Sequence, residues 1–147
     1  MKVVVSGLTG SEEAWAALRD AGHEVVYGHA DPTTMRTLSD GELIEVCQGA
    51  DVLVSMYCSA QVIEALPDLT TIIAPAVGTE RVDVDVATDN NVLVCHSPSR
   101  ENVIGVSEAS IGLMLALSKR MQRKEERLRD GVWGQRIDRG FLLWGAT

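Results

Sequence analysis

At 147 residues the chain fits one domain, with or without an extension, and can bury a real core. Hydrophobic residues make up 46% of it in short mixed runs; the longest, Ile111 to Leu117, is far below the ~20 residues that cross a bilayer, and Met1-Lys2-Val3-Val4-Val5 has no signal-peptide layout, so no membrane association is expected and the cytoplasm is the expected compartment. The formal charge of −8 is uneven, with 5 basic and 15 acidic side chains in residues 1–100 against 8 and 6 in residues 101–147, and an acidic body of this kind argues against nucleic acid and anionic membrane as partners.

The first hundred residues alternate strand and helix signals. Lys2–Ser6 is a β-branched run, Gly7-Leu8-Thr9-Gly10 makes a turn, and Ser11 can cap a helix with Ala14, Trp15, Leu18 and Ala21 on its apolar face and Gly22 at its end. Glu24–Tyr27 is a second strand. After a turn signal at Ser39-Asp40-Gly41, Leu43, Ile44 and Cys47 recur at helical spacing, and Val52–Ser55 is a third strand. Ser59 precedes a short helix carrying Val62, Ile63 and Leu66, closed by Pro67. Thr71–Ala74 is a fourth strand, Asp83–Asn90 a helix and Val92–Cys95 a fifth strand. Five strands at βαβ spacing predict an α/β fold, with a flavodoxin-like parallel sheet covered by helices on both faces.

From Asn102 the character changes. Val106, Ile111, Leu113, Met114, Leu117 and Met121 mark an apolar helix running into the charged segment Lys119 to Arg129, with Gly131 as its stop. As one continuous helix, about 27 residues at ~1.5 Å each would reach roughly 40 Å. Its apolar stretch needs a cover that a lone small domain does not supply. The basic cluster of Lys119, Arg120, Arg123, Lys124, Arg127 and Arg129 is interrupted by Glu125 and Glu126 and reads as a solvated or interface face.

Three loops invite a functional reading. Gly7-Leu8-Thr9-Gly10 lacks the third glycine of GxGxxG, and Glu12 and Glu13 follow where a pyrophosphate would sit, so it reads as an ordinary βα turn. Ala76-Val77-Gly78-Thr79-Glu80 follows the fourth strand, where open α/β sheets collect ligands. A glycine there lets backbone N–H groups approach an anion, and the same residues serve equally as a plain turn. Ser99-Arg100-Glu101-Asn102 opens the long helix. Asn102 either orients a carboxylate at the helix N-terminus or caps the helix. His96 reads as structural, and Cys58 and Cys95 have nothing beside them that would activate a thiolate. Three cysteines without a CxxC pair and three separated histidines predict neither a disulfide framework nor a metal site.

The stretch Leu66-Pro-Asp-Leu-Thr-Thr-Ile-Ile-Ala-Pro-Ala-Val-Gly-Thr-Glu-Arg-Val-Asp, with Ala87 and Asn90-Asn91-Val92 after it, resembles the NAD-dependent D-2-hydroxyacid dehydrogenases. So do Glu101-Asn-Val-Ile-Gly-Val-Ser-Glu-Ala-Ser-Ile-Gly-Leu-Met-Leu-Ala-Leu and Arg129-Asp-Gly-Val-Trp. That family includes phosphoglycerate, formate and phosphite-type dehydrogenases. The specific resemblance covers Leu66 to Trp133, and residues 1–65 match in architecture only.

The resemblance implies a flavodoxin-like substrate-binding domain with a Rossmann cofactor domain inserted into it. Val77 and Gly78 match the loop whose backbone N–H groups hold the substrate carboxylate, and Asn102 matches an asparagine that touches substrate. Val106, Ser107 and Glu108 match the helix segment beside the nicotinamide, where Val106 and Ser107 would contact the cofactor by packing. Family members usually dimerise through the region of the long helix, which would supply its cover. Met56-Tyr57-Cys58 stands where many members have an arginine-serine pair. Gly145-Ala146-Thr147 matches the lead into the first cofactor-domain strand. The family's substrate-clamping arginine, its acid/base histidine and the acid that orients it belong downstream, so no catalytic residue is assigned.

The resulting expectation is a substrate-binding domain over 1–100 and a linker helix with a dimerisation arm over 101–147. The chain would be the substrate side of an NAD-dependent oxidoreductase acting on a D-2-hydroxy acid, inactive by itself. Its expected partners are a small 2-hydroxy or 2-oxo carboxylate, a second copy of the chain, and a cofactor domain that a separate chain could carry. The alternative is a stand-alone carboxylate-binding or dimerisation module.

Overall fold

The computed structural model describes residues 1–6, 12–28, 38–133 and 139–145. Five parallel strands, β1 (Lys2–Val5), β2 (Glu24–Tyr27), β3 (Val52–Val54), β4 (Thr71–Ala74) and β5 (Leu93–His96), pair in the order β2-β1-β3-β4-β5. This is the predicted flavodoxin-like order. The strands read as unbroken apolar runs because the inner ones are covered on both faces. Val4, Leu53 and Ile72 stand in register on one face. They are buried with Leu43 of α2 (Asp40–Val46), Val62 and Ile63 of α3 (Ala60–Glu64) and Ala87 of α4 (Val84–Asp89). On the other face Val3, Val5 and Val54 pack with Trp15, from the 3-10 turn Glu12–Trp15, and Leu18 of α1 (Ala16–Asp20).

Polar side chains begin the helices, as the sequence leads one to expect. Ser59 caps α3 and Asp83 caps α4. The predicted turn at Ser39-Asp40-Gly41 is a helix start instead. The Ser39 hydroxyl accepts from the Glu42 N–H while the Glu42 carboxylate accepts from the Ser39 N–H at 2.9 Å, so Asp40 and Gly41 belong to α2. The S-x-x-E spacing of this reciprocal cap outweighs the turn tendency of Asp-Gly. The fifth strand begins one residue later than predicted, because the Val92 N–H is taken by Ala87 O in closing α4. The predicted turn at Gly7–Gly10 and the Ser11 cap lie outside the described residues.

The chain divides into two compact units, Met1–Pro98 and Ser99–Thr147. In the second, the predicted continuous helix is two helices, α5 (Arg100–Ser118) and α6 (Met121–Arg129). The break is at Arg120, which has a left-handed φ of 51°, a conformation costing roughly 1–2 kcal/mol in a non-glycine residue. A returning segment accompanies it. The Phe141 N–H donates to Ser118 O at 2.8 Å, and Lys119 Nζ donates to Phe141 O at 2.8 Å. Gly140 lies against Ser118 O and Lys119 Cα where a Cβ would have no room. Gly131, with φ 75°, ends α6 as predicted. The apolar side chains of α5 are exposed around its circumference, among them Val103, Ile111, Leu113, Met114 and Leu117, the pattern of a helix made to be covered. No helix among the described residues is long and apolar enough to cross a membrane.

Candidate functional site

The first unit gathers three loops at the carboxyl ends of β3, β4 and β5. The loop after β4 is held at both ends. On one side a parallel bridge joins Cys58 to Val82, with the Cys58 N–H donating to Arg81 O and the Asp83 N–H to Cys58 O, each at 3.0 Å. On the other, the Ser97 N–H donates to Ala76 O at 3.0 Å, and His96 Nδ1 lies 2.8 Å from Val77 O. Val77 and Gly78 span the interval between these clamps.

Elementary peptide geometry then fixes where their donors face. In a planar trans peptide the N–H points opposite to the C=O. The carbonyls of Ala76 and Val77 are both drawn to the end of β5, so the N–H groups of Val77 and Gly78 face away from it. Neither donates to another described residue. Successive backbone N–H groups left free on one side of a loop are of the kind that can receive an anion. Val77 is exposed and Gly78 half-buried, so solvent reaches it. The carboxylate end of Glu80 lies over Gly78, in the space a Cβ would take. Glu80 is exposed, and its flexible end can leave that space.

A cleft of about 850 Å³ of mixed lining opens beside this loop, between Asp40, the run Tyr57–Gln61 and the run Thr79–Asp85. The Arg81 guanidinium lies 5.7 Å from the centre of the Tyr57 ring. Met56, at the carboxyl end of β3, is exposed. Cys58 is buried, and burial, with Cys47 and Asp40 adding to it, pushes its thiol up to about 12, the opposite of an activated thiolate.

The remaining predicted residues lie on α5 in the second unit. Ser99, not Asn102, is the N-cap: its hydroxyl accepts from the Asn102 N–H at 3.1 Å. The capping alternative for Asn102 therefore falls, and its side chain is exposed on the first turn. Val106 is exposed. The Ser107 hydroxyl donates to Val103 O at 2.8 Å, leaving it only acceptor capacity. Two features went unnoticed in the sequence, the Glu80 carboxylate over Gly78 and the His96 contact with Val77. For the second, a histidine at the end of the strand adjoining the loop was the available signal.

Comparison with known proteins identifies the family. The D-isomer specific 2-hydroxyacid dehydrogenase catalytic-domain family matches residues 3–110. The D-3-phosphoglycerate dehydrogenase of Methanocaldococcus jannaschii is 33% identical over 113 residues, 75% of this chain and 21% of that protein. The hydroxypyruvate reductase of Thermotoga maritima is 30% identical over 117 residues, 78% of this chain and 38% of that protein. The fold recurs in the NAD-dependent formate dehydrogenase of Staphylococcus aureus in complex with NAD, with a TM-score of 0.70, 22% identity, and coverage of 91% of this chain and 43% of that one. The chain thus spans between about a fifth and two fifths of these two sequence relatives. With the family match running through the sheet, the Val77–Gly78 loop and the start of α5, the chain belongs to the D-isomer specific 2-hydroxyacid dehydrogenase family and carries its catalytic domain.

Proposed function

We propose that this chain forms the substrate side of an NAD-dependent oxidoreductase acting on the CH–OH group of a D-2-hydroxy acid. The N–H groups of Val77 and Gly78 hold the substrate carboxylate. The observation that carries the reading is the pair of unspent N–H groups aimed away from β5. A 2-hydroxy or 2-oxo acid presents the carboxylate they suit, and the named substrate of the Thermotoga relative, hydroxypyruvate, is of that class. NAD would supply the hydride chemistry, the protein contributing orientation and charge. On this reading a second folded unit, on the same polypeptide or another, holds most of the cofactor, with Val106 and Ser107 packing beside the nicotinamide. The 147 residues alone turn over no hydroxy acid, and α5 pairs two copies into a homodimer.

Amide NMR titration with pyruvate and calorimetry with NADH test this directly. Pyruvate is expected to shift the amides of Val77 and Gly78 with a millimolar Kd, about −4 kcal/mol, and NADH to release no binding heat. Saturating pyruvate that moves neither amide overturns the site. Tight NADH binding overturns the assignment of the cofactor elsewhere.

A further inference from the structure

We infer that His96 is the positioning residue of the carboxylate loop: its imidazole fixes the Val77 carbonyl and thereby turns the Gly78 N–H toward the substrate. The inference rests on the proposed role of Val77 and Gly78 and assigns the element that orients them. A carbonyl oxygen can only accept, so the 2.8 Å contact between His96 Nδ1 and Val77 O requires the proton on Nδ1. The carbonyl that accepts it and the Gly78 N–H belong to one rigid peptide plane, so holding the first aims the second. The main chain performs the same service one peptide earlier, where Ser97 N–H holds Ala76 O and so sets the Val77 N–H. At Val77 the β4–β5 ladder has run out, its last pair being Ala74 with His96, and a side chain replaces the missing backbone donor. Without it that peptide is free to rotate, and the Gly78 N–H loses its fixed direction.

The atom that matters is a donor at the δ position, which gives the test its selectivity. His96→Asn places an amide N–H the same number of bonds from the backbone as Nδ1, whereas His96→Phe keeps a flat ring and removes the donor. Pyruvate titration of the 147-residue chain, followed at the Val77 and Gly78 amides, is expected to give a Kd within about twofold of the parent for His96→Asn. For His96→Phe the Kd should be weaker by about five- to tenfold, the range set by one lost hydrogen bond. Equal binding by His96→Phe and the parent overturns the inference, as does equal loss in both variants while each remains folded.

A second readout depends neither on pyruvate binding nor on the variants. Long-range ¹H–¹⁵N correlation spectra of the parent, taken with the His96 ring neutral, should show it protonated at Nδ1. A ring protonated at Nε2 overturns the inference even if both variants fail to fold. Failure of the underlying site looks different. Pyruvate would then move no loop amide in the parent, while the Nδ1 proton would still be observed.

Discussion

Asp40 and Ser59, 19 residues apart in sequence, are joined by a 2.7 Å hydrogen bond in which the Ser59 hydroxyl donates to Asp40 Oδ2. The second oxygen of the same carboxylate accepts from the Tyr57 hydroxyl at 2.8 Å. Asp40 is the first residue of α2 and Ser59 the cap of α3, so one carboxylate ties the starts of two neighbouring helices to the loop after β3. All three side chains are half-buried, which keeps water from replacing the bonds at no cost. Asp40→Ala is expected to lower unfolding stability by roughly 2 kcal/mol and Tyr57→Phe by about 1 kcal/mol. Urea titration checks both, and a change below ~0.5 kcal/mol for Asp40→Ala would show that the tie does not contribute.

Glu80 places a negative charge where the proposed substrate carries one. Glu80→Gln should therefore tighten pyruvate binding, by about threefold at ~0.01 M salt, from loss of a like charge a few ångströms away. The gain should vanish near 1 M salt, where the screening length is roughly 3 Å. Isothermal titration at the two salt concentrations measures it, and weaker binding by the variant would show that the carboxylate assists the loop.

Burial holds both core thiols protonated. It pushes Cys47 up to about 11, with Lys2 opposing the rise, and Cys58 up to about 12, with Cys47 and Asp40 reinforcing it. An unfolded thiol ionises near 9.0, the ordinary value. Folding therefore favours the protonated form. The stability is fully present below pH 9.0 and is lost as the pH rises toward 11 and 12. Each thiol contributes a slope of up to about 1.4 kcal/mol per pH unit in that window. The urea midpoint should fall steadily above pH 9, and less steeply in Cys58→Ala. In the native chain the half-buried Cys95 should react first with a thiol reagent.

Leu113 and Leu117 are 65% and 77% exposed, one helical turn apart on α5. Apolar surface of this extent marks an interface, and a symmetric pair is the commonest way to close one. Sedimentation should show a dimer, and Leu113→Glu with Leu117→Glu should convert it to monomer without loss of helix signal in circular dichroism. A parent chain that remains monomeric across a wide concentration range would refute the pairing.

The sheet was legible because its signals are local. β-branched runs at βαβ spacing identify strands, and right-handed crossovers leave few ways to order them. The start of the helix after Ser59 was equally readable, Asp83 proved to be the cap of a helix it was expected to begin, and at Ser39 the reciprocal bond with Glu42 decided against the Asp-Gly turn. The break between α5 and α6 was not legible, since it involves Phe141, 23 residues beyond the carbonyl it completes, and propensity around Lys119 and Arg120 favours helix throughout. At the candidate site, residue types showed where an anion loop lies. The direction of its donors came from contacts with His96 and Ser97, about twenty residues away, and no local pattern records those.

The docking of Gly140 and Phe141 on the end of α5 has a consequence for the order of folding. Ser118 O, at the last residue of α5, finds its donor only when the chain has been made through Phe141. During synthesis, then, this bond can form only after all the residues of α6 have been made. Closing that loop costs an entropy that grows only slowly with its length, so the late closure is inexpensive, and it makes Gly140 and Phe141 the latch of a helix that begins some forty residues earlier.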